Sequence, residues 1–478
     1  MMKGIRGWRA VAAVASVVLA AGVVSVANAP AAQAANGADF DAGYIISDEI
    51  FFNSSLMSEA EIQGFLEARV PVCQPTAGNP GCLKDYRSDS PPRLADKYCA
   101  LYQGGTNERA SRILYNVARA CNINPQVLIV LLQKEQGLIT STNPSHGKYR
   151  AATGYGCPDT AACDAQYYGF FNQIYNAARQ FNRYGDPALG FRYQAGRDNT
   201  ILWHPNAACG TSVVFIQNKA TAALYNYTPY RPNAAALANP YDYGDSCSSY
   251  GNRNFWFYFT DWFGSTTISK AANAFVKAVY EDVLGRPAGD NERIGWGRAL
   301  MSGMPRSMVA GGFVNSDEFR LLKIDAAYRE VLGREPETSG RMGWLNGMRS
   351  GALAPDDTYR IFMQSQEYYN STGGTDAAFV AAVYERIITR PAKPDEVAYW
   401  EGMLQQYGRA TVVDLIWFSV ETSRARVAKM YLTYLGREPD RAGLIGWGDM
   451  ALKNGDTWVR SEILGSAEYW ARAQTRFP

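Results

Sequence analysis

The chain has 478 residues, with 47 Lys and Arg against 45 Asp and Glu, a net charge of +2. So even a balance lacks the basic stripe of a dedicated nucleic-acid binder, and no nucleic-acid partner is expected. At 47% hydrophobic and 19% charged, the chain has ample material for roughly two or three hydrophobic cores.

Residues 1–34 read as a signal peptide. Lys3, Arg6 and Arg9 form a basic start, Val11 to Val26 an apolar stretch, and Ala32-Gln33-Ala34 a small-residue cleavage pattern. No other segment reaches membrane-spanning length, so the mature chain is expected to be exported, with no integral span once the signal is removed. Eight cysteines agree with an oxidising compartment. Nearest-neighbour pairing is the expected connectivity (Cys73–Cys82, Cys99–Cys121, Cys157–Cys163 and Cys209–Cys247), because each bridge closes a local loop. None lies beyond Cys247, which separates a stapled N-terminal part from an unstapled C-terminal part.

Residues 40–264 are expected to form one mainly α domain. Ser58 with Glu61 three residues on is a capping box opening a helix. An amphipathic run over 110–120 leads into a second helix from Asn124, a good N-cap, to Gly137, a good stop. Residues 170–181 and 219–225 read as further helices, and the aromatic run 255–264 as a core helix. Between them, 201–204 and 212–216 flank Pro, Asn and Gly as a small β-hairpin.

Glu135 stands out in this frame. It falls in the last turn of its helix, where the helix dipole disfavours a negative charge, on the face of Leu128, Leu131 and Leu132. Both effects favour a neutral acid suited to proton donation, with Lys134 working against them. The other reading is a frayed helix end. Composition narrows the chemistry. Only His146 and His204 are present, with no His-Glu-x-x-His and no Gly-x-Ser-x-Gly, and the cysteines are expected to be paired. No metal and no cofactor is expected. Glycoside cleavage, which needs carboxyl groups alone, is left open.

The run from Asn124-Pro125 to Lys134-Glu135-Gln136-Gly137 resembles the catalytic helix of the lysozyme-like superfamily, bacterial lytic transglycosylases in particular. That family has a Glu-Ser-Gly signature, a Gly-hydrophobic-Met-Gln loop and an Ala-Tyr-Asn segment, in this order. Gly169-Phe-Phe-Asn-Gln173 is similar to the second with one extra residue, Ala223-Leu-Tyr-Asn226 is similar to the third, and Gln136 replaces the serine. The resemblance spans roughly 105–230. It implies Glu135 as general acid/base, Gln173 holding the substrate or leaving group, and Tyr225 and Asn226 lining the site. A transglycosylase needs one carboxyl, because the substrate's own groups help to complete the reaction. A hydrolase needs a second, for which Asp159, Asp164 and Asp198 are loop candidates. Tyr167, Tyr168 and Trp203 are candidates to stack on sugar rings or to pack.

From about residue 274 the chain repeats four times, over 274–320, 325–370, 377–424 and 428–472. Tyr280, Tyr328, Tyr384 and Tyr431 are followed at a fixed offset by Arg286, Arg334, Arg390 and Arg437, and then by Trp296, Trp344, Trp400 and Trp447. Each unit is expected to be a helix, a Gly-Arg-Pro turn, a helix with a buried Trp, and a third helix closed near a Ser-x-Glu-aromatic marker. Gly285, Gly333 and Gly436 suit the helix ends. Thr389 stands there in the third unit, whose turn should be strained or built differently. These units resemble a phycobilisome-linker-like repeat domain of unknown function from bacterial surface proteins, which implies helical bundles for display, attachment to surface proteins or self-association.

The fold class expected is therefore mainly α: a lysozyme-like domain with a small β-hairpin and disulfides, then all-α repeats. The function expected is a secreted, cell-wall-associated glycosidase or lytic transglycosylase whose partner is peptidoglycan or another cell-wall glycan. The alternative is a non-catalytic glycan-binding or adhesion protein on the same fold.

Overall fold

Capping signals in the sequence sit where helices begin. In the computed structural model, which describes residues 35–158, 162–239 and 241–478, Ser58 Oγ accepts from the Glu61 amide while the Glu61 carboxylate accepts from the Ser58 amide at 2.7 Å. The signal-peptide reading and Asp159 lie outside the described residues. In chain order the stapled part carries α1 (Asp48–Phe51), α2 (Glu59–Arg69), β1 (Arg87–Ser90), β2 (Gly105–Arg109), α3 (Ala110–Cys121) and α4 (Pro125–Gln136). There follow α5 (His146–Arg150), α6 (Phe170–Tyr184), β3 (Arg197–Leu202), β4 (Thr211–Ile216), α7 (Lys219–Tyr227), α8 (Ala234–Ala238) and α9 (Gly251–Phe263). With 59% of residues helical and 5% in strands, the protein is mainly α. The antiparallel pair β3–β4 runs in register from Arg197 opposite Ile216 to Leu202 opposite Thr211. The pair β1–β2 has no alternating apolar pattern to announce it, since its residues are mostly exposed.

The four disulfides are Cys73–Cys82, Cys99–Cys121, Cys157–Cys163 and Cys209–Cys247. Four such bridges fit an oxidising compartment. No described helix is long and apolar enough to cross a membrane.

Helix α4 is the centre of the first core. Asn124 Oδ1 accepts from the Gln126 amide at 2.9 Å to open it, and Gly137 at φ +61 closes it. Val127 to Leu132 are all at most 1% exposed, so the helix is apolar all round over more than one full turn rather than on one face. Phe51, Ile113, Phe181, Leu224 and Phe259 pack in the same core.

The repeated segments do not form four separate bundles. The first and fourth share one core, with Phe275, Tyr280 and Phe313 beside Met430, Tyr431 and Tyr469. The second and third share another, with Ala327, Tyr328 and Phe362 beside Phe379, Tyr384 and Trp417. A single short unit cannot bury its apolar face alone, and here each unit finds a partner in nested order.

The Tyr-to-Arg stretch has one local device. In three units the helix ends in a π-helical turn (Tyr280–Leu284, Tyr328–Leu332, Tyr431–Leu435), stopped by Gly285, Gly333 and Gly436 at φ +66, +67 and +70. The third unit differs as its threonine foretells: helix Asp376–Ile387 has no π turn and Thr389 sits at φ +61.

The repeated arginines are structural clamps. Arg286 Nε donates to Glu318 at 2.6 Å, Arg334 to Glu367 at 2.6 Å, Arg390 to Glu421 at 2.8 Å and Arg437 to Glu468 at 2.5 Å, each guanidinium lying 4.9–5.3 Å from the ring of its unit's tyrosine. The Ser-x-Glu marker therefore opens the following helix rather than closing a third one. Ser316, Ser365 and Ser466 cap those helices, and the serine of the third unit is Ser419, whose glutamate is Glu421. Among the four tryptophans only Trp296 is buried; Trp344, Trp400 and Trp447 are half-buried.

Candidate active site

Glu135 lies where the sequence puts it, in the last turn of α4, but its surroundings are not apolar. Its Oε1 accepts from Lys134 Nζ at 2.5 Å. The lysine side chain is 4% exposed and the glutamate 26%. Lys134 Nζ also donates to Thr228 Oγ1 at 3.0 Å and stands 5.5 Å from the centre of the Tyr227 ring. The expectation of a carboxyl on the leucine face is thus corrected, while Lys134, expected to work against a neutral acid, is its partner. Leu128, Leu131 and Leu132 are buried in the core, and the carboxylate leaves that face to meet an ammonium.

Across from it runs the turn Thr153-Gly154-Tyr155-Gly156. Gly154 has φ +68, and a Cβ there would lie 3.4 Å from Glu135 Oε2. Gly156, at φ +72, lets the backbone press on the Tyr167 ring, where a Cβ would meet carbon at 2.6 Å. The two glycines supply a left-handed backbone and close approach that other residues resist. Tyr155 packs edge-on against Tyr167 at 4.8 Å. Tyr227 donates its hydroxyl to the Thr153 carbonyl at 2.6 Å and stacks on Phe181. Burial raises its hydroxyl well above the ordinary value, and the nearby Glu135 charge pushes the same way.

The residues carried over from the resemblance fall differently. Gln173 is fully buried, which corrects its reading as a substrate contact. Its Oε1 accepts from the amides of Thr153 and Tyr155, both at 3.1 Å, and its Nε2 donates to the carbonyls of Tyr155 (2.9 Å) and Tyr167 (2.8 Å). It holds the glycine turn against Glu135 and has no polar atom left for a ligand. Tyr225 is corrected in the same way: it is 0% exposed and donates to the Ala42 carbonyl at 3.1 Å. Asn226 brackets Tyr193, accepting from its amide at 3.1 Å and donating to its carbonyl at 2.8 Å. Tyr168 is half-buried under the Arg150 guanidinium at 4.8 Å, and Trp203 under that of Arg231 at 4.8 Å, so each ring has one face occupied.

Of the candidate second carboxyls, Asp164 caps a short turn and accepts from Gln166, and Asp198 is exposed on β3. His146 and His204 are used separately, on the Gly78 carbonyl and the Asn206 amide. Among the described residues no group of three or more His, Cys, Asp or Glu could hold a metal ion.

Sequence reasoning missed Gly154, Tyr155, Tyr227 and Thr228. The Gly-Tyr-Gly at 154–156 was the available signal, because two glycines around an aromatic mark a backbone with positive φ.

Comparison with known proteins places two matches on this geometry. Residues 44–214 match the family model described as LasA, N-terminal domain, which takes in Glu135, Gln173, Tyr168 and Trp203 but stops short of Tyr225 and Asn226. Residues 257–322 match a domain of unknown function, DUF4214, which takes in the end of α9 and the first repeated segment. No curated protein and no solved structure matches the chain.

Proposed function

We propose that residues 40–264 are a lysozyme-like domain that cleaves peptidoglycan or a related cell-wall glycan, with Glu135 as its acid/base. The observation that carries this reading is the pairing of Glu135, a quarter exposed at the end of a buried helix, with the glycine turn at Gly154. Gly154 brings the turn backbone to the carboxyl with no side chain between them, and Tyr155, packed edge-on against Tyr167, follows it. Asp164 caps a short turn and Asp198 lies exposed on β3; a lytic transglycosylase needs neither, whereas a hydrolase would need one of them as its second carboxyl. The units at 274–320, 325–370, 377–424 and 428–472 would hold the exported protein at the cell wall or to partner proteins. The recurring arginine–glutamate clamp supports reading them as four copies of one unit.

A second reading rests on the Lys134–Glu135 ion pair, which occupies the carboxylate with an intramolecular partner. In this reading the domain grips glycan without cutting it. One experiment separates the two. Mature protein and Glu135→Gln are incubated with purified peptidoglycan, and released fragments are identified by mass spectrometry. Anhydro-ended fragments from wild type alone support the transglycosylase, and reducing-end fragments a hydrolase. Absence of fragments with retained pull-down on sacculi rejects cleavage in favour of binding.

A further inference from the structure

Arg253, on α9, is 5% exposed and lies where a cation is costly. Burial lowers its proton affinity, and its Nη1 gathers the carbonyls of Ala236 (3.0 Å), Asn239 (2.9 Å) and Asp242 (2.9 Å). Its Nε and Nη2 both donate to Asn254 Oδ1, and the guanidinium stacks 4.3 Å over the Tyr250 ring. The loop ahead of α9 is fixed at two further points. Cys247 is bridged to Cys209, and Asp245 Oδ1 accepts from Asn233, Ser248 and the Cys247 amide.

A loop pinned this firmly nevertheless presents two aromatic side chains to solvent, Tyr241 at 66% and Tyr243 at 82% exposure. Each ring has a partner in the fold. Tyr241 donates its hydroxyl to Asp261 at 2.8 Å and tilts on Phe257, and Tyr243 stands edge-on to Tyr250. Between them, with Tyr258, Asp242 and Asn254 on the walls, lies a cleft of about 240 Å³.

We propose that this cleft is a carbohydrate subsite that takes one pyranose ring of a glycan chain. A pyranose has apolar C–H faces and a rim of hydroxyls. The tyrosine faces suit the former, and the Asp242 carboxylate and Asn254 amide beside them suit the latter. An anionic ligand is disfavoured, since every nitrogen of Arg253 already donates within the protein. A docked helix, about 10–12 Å across with its side chains, is too large for the space. The fixed loop adds affinity by ordering the rings before the ligand arrives. The subsite does not depend on cleavage at Glu135; it rests on the reading of the domain as glycan-directed only for the choice of probe.

Depletion binding of the mature, disulfide-intact protein to peptidoglycan sacculi, chitin and cellulose tests it. Wild type is expected to bind at least one of them, and Tyr243→Ala to weaken that binding roughly tenfold, as loss of an aromatic anchor does. Tyr241→Ala/Tyr243→Ala should weaken it further, and Tyr243→Phe should retain it. Unfolding midpoints of the alanine variants report whether the fold is intact, and both side chains are mostly in solvent. Wild-type binding to none of the three polysaccharides, or equal binding by the double variant, overturns the proposal. Failure to release fragments leaves tyrosine-dependent binding standing and counts against cleavage alone.

Discussion

Lys134 Nζ lies 2.5 Å from Glu135 Oε1, and the lysine is the more deeply buried partner, 4% exposed against 26%. The two substitutions that break the pair should therefore not be equivalent. After Lys134→Met the glutamate can turn to water, and the cost is expected to be about 1 kcal/mol. After Glu135→Gln a nearly buried ammonium keeps only Thr228 and the face of Tyr227, and about 2–3 kcal/mol should be lost, short of the full penalty for stranding a buried charge. Urea denaturation of both variants checks the order. A larger loss for Lys134→Met would mean that the pair is not the chief support of either side chain.

Gln173 gives a cleaner separation between holding a loop and touching a substrate. Gln173→Ala strips hydrogen bonds from the amides of Thr153 and Tyr155 and the carbonyls of Tyr155 and Tyr167. Some of these groups can relax to solvent, so the expected loss is about 2–3 kcal/mol rather than the sum of every broken bond. Amide hydrogen exchange at residues 153–155 should become fast. An unchanged unfolding midpoint with a raised KM would instead place Gln173 on the substrate.

These two cases show what the sequence carried and what it did not. Helix α4 was legible because Asn124, Pro125 and Gly137 act locally, through capping and backbone preference. The nearest-neighbour disulfides were legible because short loops are easily closed. The partner of Glu135 was adjacent in sequence, yet whether Lys134 points to the carboxylate or to water depends on Thr228 and Tyr227, more than ninety residues away. Tyr225 shows the reverse problem. A motif fixes which residue is aromatic but not which face of its short helix meets the core, and here Tyr225 turns inward to Ala42 while Tyr227 reaches the Glu135 side. The nested pairing of the repeats had no signal within any one unit, because it is decided by which apolar faces meet.

The repeats contain a charged contact that should respond to acid. Arg460 meets Asp356, 104 residues away, at 3.2 Å, and Lys323 meets the same carboxylate at 2.7 Å. Burial raises the Asp356 carboxyl, but Arg460 and Lys323 more than reverse this and hold it below the usual carboxylate range. A carboxyl depressed in the folded state contributes stability above its unfolded value, about 3.9, and loses it as pH falls toward the folded value. Asp456, pushed upward by burial with Arg426 opposing, acts in the other direction, favouring the fold only while protonated. The expected outcome is loss of repeat structure below about pH 4, followed by circular dichroism. Asp356→Asn should flatten that acid limb and cost about 3 kcal/mol at pH 7, because it strands the buried Arg460, while Lys323, partly exposed, can turn to water. An unchanged acid limb in the variant would remove Asp356 from the account.

Thr389 provides the opposite kind of change, a substitution expected to stabilise. It holds φ +61 at the position where the other three units have glycine at φ +66 to +70. A β-branched residue in the left-handed region costs about 1–2 kcal/mol. Two terms reduce the gain from Thr389→Gly: the hydroxyl now donates to the Ile388 carbonyl at 2.6 Å, and glycine makes the unfolded chain more flexible. The net expectation is a stabilisation of about 0.5–1 kcal/mol, read as a raised midpoint of thermal unfolding. Gly333→Thr in the second unit is the matching control. It imposes the same strain on a helix that ends in a π-helical turn, and should lower the midpoint by at least as much as the first change raises it. Should Thr389→Gly lower the midpoint as well, the hydroxyl bond to Ile388 outweighs the strain, and the third unit is adapted to its threonine rather than burdened by it.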